Sequence, residues 1–206
     1  MGLHRLANLV LSRKPRYVTI AGLLVTDGVV ATDAGFTHAS FGRVTQVEPH
    51  DFHGGPEAIE PEAIEPEAAG PWWETAPDLL ASERVHMAEA FPGFQFVDLD
   101  GKPGWEGTIN SGRGLFEVRL THRGDHSIPR IEVIRPHRLE RRAGRHMQRA
   151  PHLFNSGAVC VARAEDWDAE RHDAVTAVGW AAHWLAAYSV WRVSGEKWPT
   201  RESHAA

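Results

Sequence analysis

The chain has 206 residues, 42% of them hydrophobic, with a net charge of −5, eight Trp and a single Cys. That length sets one domain with at most an added arm, and the acidic balance argues against a nucleic-acid partner. One Cys excludes an intramolecular disulfide and fits a reducing, cytoplasmic setting without a secretory signal.

Residues 1–14 carry Leu6, Leu9, Val10 and Leu11. They predict a short amphipathic helix, too short and too polar to span a bilayer. Residues 17–20 and 23–25 read as strands, and Asp27-Gly28 as a hairpin turn returning through residues 29–31. Residues 41–47 add a further strand. The expectation is an N-terminal β-rich arm over residues 1–55, packed on a larger unit. Next comes a tandem repeat, Pro-Glu-Ala-Ile-Glu twice and then Pro-Glu-Ala-Ala-Gly. Proline at every fifth position stops a continuous helix, so residues 56–71 read as an acidic linker.

Beyond the linker, Leu80, Val85 and Met87 predict a helix over residues 77–91, stopped by Pro92-Gly93. Four strands follow at residues 94–99, 105–109, 115–120 and 130–134. Gly-, Asp- and Asn-rich turns separate them, and no helix intervenes, which predicts an antiparallel meander. Residues 135–149 hold six Arg and read as a loop. The last element is a helix over residues 167–193, with Asp166 and Asp168 at its start and Gly195 as its stop. Trp180, Trp184, Tyr188 and Trp191 share one face of it. Val178, Ala182 and Leu185 fill an adjacent face, so the helix reads as buried. The fold class is α+β.

Between the Arg-rich segment and that helix lies Pro151-His152-Leu153-Phe154-Asn155-Ser156-Gly157-Ala158-Val159-Cys160. The Ser-Gly turn sets an apolar run ending in Cys160 beside His152. A lone Cys is either a small buried hydrophobe or a reactive thiol. Among the thirteen His, His50 and His53 make the one close pair of the N-terminal half, while His137 and His146 flank arginines that repel a cation. Hydrogen-bonded or solvated histidines are expected, with no metal and no cofactor.

The order of helix, four-strand meander, irregular His-before-Cys segment and C-terminal helix resembles the ubiquitin-conjugating (E2, UBC-like) fold. Trp105-Glu106-Gly107-Thr108-Ile109 resembles the strand that opens the meander. Phe116-Glu117-Val118-Arg119-Leu120 with Ile128-Pro129-Arg130-Ile131-Glu132-Val133 resembles the strand pair around a proline. The closer resemblance is to bacterial E2-like proteins of ubiquitin-like conjugation and antiphage operons. Their tail pattern reads here as Trp184-Leu185, Tyr188, Trp191, Gly195, Trp198-Pro199 and His204.

The resemblance covers residues 77–204 and implies an E2-like catalytic domain over residues 72–206. It implies Cys160 as a thioester carrier, with His152 and Asn155 as its companions. The partners it implies are an E1-like activating enzyme, a ubiquitin-like protein and a target protein, with a nucleotidyltransferase as one candidate. One departure is plain: eukaryotic enzymes carry His-Pro-Asn, whereas this chain has His-Leu-Phe-Asn, which sets Asn155 one place late. Asn155 or the amides of Ser156-Gly157 are the candidate oxyanion donors. His152 either shapes the loop or helps deprotonate an amine. Asp166 and Asp168 either cap the helix or orient an attacking lysine. The Arg-rich segment is a solvated loop or a docking surface for an acidic partner. A scaffold of the same fold with an inert cysteine stays open. A papain-type hydrolase is disfavoured, because there the Cys precedes the His.

Overall fold

The computed structural model describes residues 1–52, 60 and 70–199. Most of the Pro-Glu-Ala repeat, together with His53 and His204, lies outside the described residues. The fold is mixed α+β, with antiparallel sheets and a C-terminal helix.

Helix α1 (Leu3–Val10) buries Leu6 and Val10, as the amphipathic spacing requires. Five short strands follow: β1 (Tyr17–Thr19), β2 (Leu24–Val25), β3 (Val29–Thr32), β4 (Gly35–His38) and β5 (Gly42–Gln46). They form one antiparallel sheet in the order β2-β1-β5-β4-β3. The Asp27-Gly28 turn therefore does not join hydrogen-bonded neighbours, which corrects the hairpin expectation. It links the two outer strands, while β3 pairs with β4. A link of residues 26–28 reaches at most about 14 Å between its flanking strands, so the sheet coils strongly on itself.

After the linker come α2 (Trp72–Thr75) and α3 (Pro77–Ala90), the latter opening on a proline at its first position. The buried face of α3 is only partly the expected one. Met87 is buried and Leu80 packs against the core as expected, but Val85 is exposed and Glu83 is buried. Glu83 is only 4% exposed and faces His122 across 2.9 Å, without the alignment of a hydrogen bond. Its other oxygen accepts from the amide of Ala174.

The four-stranded meander is present as expected: β6 (Gln95–Leu99), β7 (Lys102–Asn110), β8 (Leu115–Thr121) and β9 (Arg130–Arg135), in that spatial order. Trp105 sits opposite Leu120 and Ile109 opposite Phe116, and their shared face is buried. Gly107 is required on β7, because a Cβ there would lie 2.5 Å from the Phe94 ring. The arginine-rich segment is not a loop throughout. It contains a hairpin of β10 (Glu140–Ala143) and β11 (His146–Arg149), turned at Gly144 with φ 63°. Both strands are largely exposed, so no apolar alternation marked them. Arg141 stacks on Trp191 at 4.2 Å and donates to its carbonyl.

Helix α4 (Ala174–Ser194) runs through the centre, with Trp180, Trp184, Tyr188 and Trp191 all buried. It begins seven residues later than expected. Asp168 instead takes the Glu170 amide in a turn, and Asp173 caps the helix by accepting from the amides of Val175 and Thr176. Gly195, at φ 73°, ends it as foreseen. One hydrophobic core joins α4 to the inner face of the meander and to Leu6, Val10, Val18 and Leu24 of the N-terminal region.

Candidate active site

Residues 152–160 fold into a tight hairpin. Its backbone ladder runs from Cys160 N–H to the His152 carbonyl at 2.9 Å and from Phe154 N–H to the Ala158 carbonyl at 2.9 Å, with Leu153 facing Val159. The Val159 amide donates to the Ile131 carbonyl at 2.8 Å, which attaches the hairpin to β9. Arg149 braces it from β11 by donating to the Phe154 carbonyl.

This hairpin presents Cys160 to a cavity of about 280 Å³. The thiol is 2% exposed and points its proton at the Ala162 carbonyl, 3.7 Å away. One wall is the connection between β8 and β9, with Arg123, Asp125, Ile128 and Pro129. Phe154 and Trp167 close other sides. The wall is held in shape. Asp125 accepts from the amide and hydroxyl of Ser127, and Arg123 donates to the Ile128 carbonyl. The Trp167 indole donates to the carbonyl of His126, a residue in the left-handed region at φ 59°.

His152 takes the Cys160 amide on its carbonyl, and the residue is not part of the cavity lining. The ring lies between Phe52 and Trp198, at centroid distances of 5.8 and 5.2 Å. The residue itself is left-handed at φ 56°, a conformation that His tolerates better than most side chains. It thus forms the corner that starts the hairpin. Asn155 is exposed at the opposite end, in the turn. Strand rise puts it about 10 Å along the hairpin from Cys160, so the structure does not bring it to the thiol. The Gly157 amide, another candidate donor, is engaged with the Phe154 carbonyl.

Asp166 accepts from the amides of Arg163 and Asp51, and neither Asp166 nor Asp168 lines the cavity. Among the described residues, the carboxylate that lines it is Asp125, which no local pattern had singled out. Trp198 packs behind His152.

Behind the hairpin, the N-terminal region reaches in through His50 and Phe52. His50 and His183 face each other at 3.1 Å, and the Glu48 carbonyl takes both the His50 ring N–H and the Trp180 indole. Burial holds the His50 pKa down at about 4. Among the described residues, no group of three or more His, Cys, Asp or Glu could hold a metal ion.

A family model described as "Type II CBASS E2 protein" matches residues 83–205, a span that contains the meander, the cysteine hairpin and α4. The chain belongs to the Type II CBASS E2 family. This is a bacterial E2-like family of antiphage operons, as the tail pattern and the His-before-Cys order implied. No curated protein and no solved structure matches the chain. Within this E2-CBASS protein, α1 and the N-terminal sheet precede the matched span. No helix among the described residues is long and apolar enough to cross a membrane.

Proposed function

We propose that this E2-CBASS protein is a cytoplasmic acyl carrier with a UBC-like catalytic domain. Cys160 accepts the C-terminal acyl group of a ubiquitin-like protein from an E1-like enzyme and passes it to an amine of a target. The observation that supports this most is the hairpin that sets the thiol on an apolar cavity, within the span matched by the family.

In the first step the Cys160 sulfur, its proton released to solvent, attacks the acyl carbon, and the donor's C–S bond breaks to free the donor thiolate. In the second, the amine nitrogen attacks the same carbon. The Cys160 C–S bond breaks, and the proton lost by the amine returns to the departing thiolate. Exchange between thioesters is near energy-neutral and needs no tightly coupled base. The walls at Ile128, Pro129, Phe154 and Trp167 exclude water that would hydrolyse the thioester. Asp125 lines the same cavity, where its carboxylate would accept a hydrogen bond from the incoming amine and orient it.

Co-expression with the partner proteins of the operon tests this. Wild type should give a heavier, reductant-sensitive band, absent in Cys160→Ala and reductant-resistant in Cys160→Ser. An active E1-like partner with no such band would sink the proposal. The near-complete burial of the thiol favours a second reading, an E2-fold scaffold with an inert cysteine. On that reading Cys160→Ala keeps full phage protection.

A further inference from the structure

Arg123 and Arg130 both line the Cys160 cavity, and both turn their guanidinium groups to one carboxylate, that of Glu60. Glu60 Oε1 lies 3.3 Å from Arg123 and 2.5 Å from Arg130. Its Oε2 accepts from the Ser156 hydroxyl at 2.5 Å, and Ser156 sits in the turn of the cysteine hairpin. Side-chain exposures are 10% for Arg123, 31% for Arg130 and 17% for Glu60. Burial draws the Arg130 pKa down, but Glu132 and Glu60 outweigh it and leave the pKa raised. The receptor is braced independently of Glu60. Arg123 Nε donates to the Ile128 carbonyl, Arg130 pairs with Glu132 at 3.2 Å, and Ser156 Oγ accepts from the Ala158 amide at 3.3 Å. Two guanidinium groups and a hydroxyl converging on both oxygens of one carboxylate match the geometry that recognises carboxylates.

We propose that Arg123, Arg130 and Ser156 form a carboxylate-binding site at the rim of the Cys160 cavity, one that takes an acidic side chain of the polypeptide delivered to the thiol. Glu60 is its internal occupant. The assignment of Cys160 as the acyl carrier underlies the word "delivered"; the binding site itself stands on the geometry around Glu60. Asp125 on the cavity wall disfavours a second negative charge deeper in. The site therefore selects for a carboxylate at the rim and an uncharged segment next to the sulfur. An internal ligand competes with an external one and lowers its apparent affinity by the fraction of sites it fills.

The test is a fluorescence-polarisation titration at low salt, in a Cys160→Ala background so that thiol chemistry plays no part. The probe is a fluorescein-labelled peptide, Ala-Ile-Glu-Pro-Glu-Ala, copied from the chain's own repeat, with a Gln-for-Glu peptide as control. Because the repeat carries a second copy of the motif at Glu65, both positions are replaced as Glu60→Gln/Glu65→Gln. That protein should bind the acidic probe about tenfold more tightly than its parent. Adding Arg130→Gln should abolish the gain, and adding Ser156→Ala, in an exposed turn, should reduce it without disturbing the fold. Equal affinity in parent and Glu60→Gln/Glu65→Gln, or equal binding of the acidic and Gln peptides, would overturn the proposal. Either result leaves the thioester assay on Cys160 as an independent question, and loss of the thioester band leaves the peptide result standing.

Discussion

Along β8 of the meander, Phe116, Val118 and Leu120 turn inward and alternate with Glu117 and Arg119, whereas β3 of the N-terminal sheet leaves Val30, Ala31 and Thr32 exposed. The meander is fixed by burying inward residues of β7, β8 and β9 in the core that contains α4. The N-terminal sheet holds few buried residues of its own and is fastened through α1, through His50 against His183 and through the Asp51 amide on Asp166. The sheet next to the thiol is thus specified by packing. The outer one is specified by a handful of anchors that reach the same central helix and the turn at Asp166 that precedes it.

The largest way to break this contrast is Trp184→Ala. Trp184 is fully buried and stacked on Tyr188, and its removal should cost about 4 kcal/mol. Because α4 serves both sheets, one cooperative denaturant transition should shift as a whole. Two separate transitions would show that the sheets do not share a core. Next is Leu6→Ala, which removes an anchor of α1 and should cost about 3 kcal/mol. Hydrogen exchange should then show amides of β1 and β5 losing protection before those of β7 and β8. Simultaneous loss would erase the distinction between the two regions.

The smallest effect is in pH. His50 is held near pKa 4 in the fold by burial, outweighing the raising pulls of the Glu48 carbonyl, Asp166 and Asp51, while Arg16 adds to the lowering. An unfolded His titrates near 6.5. Between those values the unfolded chain binds the extra proton, so stability falls as pH falls. At pH 5 the loss relative to pH 7 should be about 2 kcal/mol, with exchange rising first in the N-terminal sheet. His50→Gln should flatten that part of the profile, and an unchanged slope would assign the acid sensitivity elsewhere.

The meander was legible because burial on one side leaves a period in the sequence, Phe116-Val118-Leu120 at two. Helix α4 was legible because it is buried all round, which leaves a long apolar run with Trp180, Trp184, Tyr188 and Trp191 three or four apart on one face. The position of Cys160 after a His-bearing turn was legible for a similar local reason. What could not be read was partner choice. Asp27-Gly28 has the chemistry of a hairpin turn, and nothing local says that β2 pairs with β1 and β3 with β4. The β10–β11 hairpin buries no residue and meets α4 through Arg141 on Trp191, so it carries no apolar alternation. On α3, Met87 is buried as its position suggested. Val85, which also looked inward, is exposed and Glu83 is buried, because His122 and the Ala174 amide, each distant in sequence, lie against it. The cavity shares that character. Arg123, Asp125, Trp167 and Cys160 come from three separate segments, and only the folded chain brings them together.

The coiling of the N-terminal sheet also bears on how the molecule behaves beside copies of itself. Its two rims are β2 and β3, strands of two and four residues, and residues 26–28 tie one to the other. Short rims give an incoming strand little to pair with, which is one of the ways natural sheets avoid edge-to-edge aggregation. That matters here because Val30, on one rim, is 65% exposed and would otherwise make a sticky template.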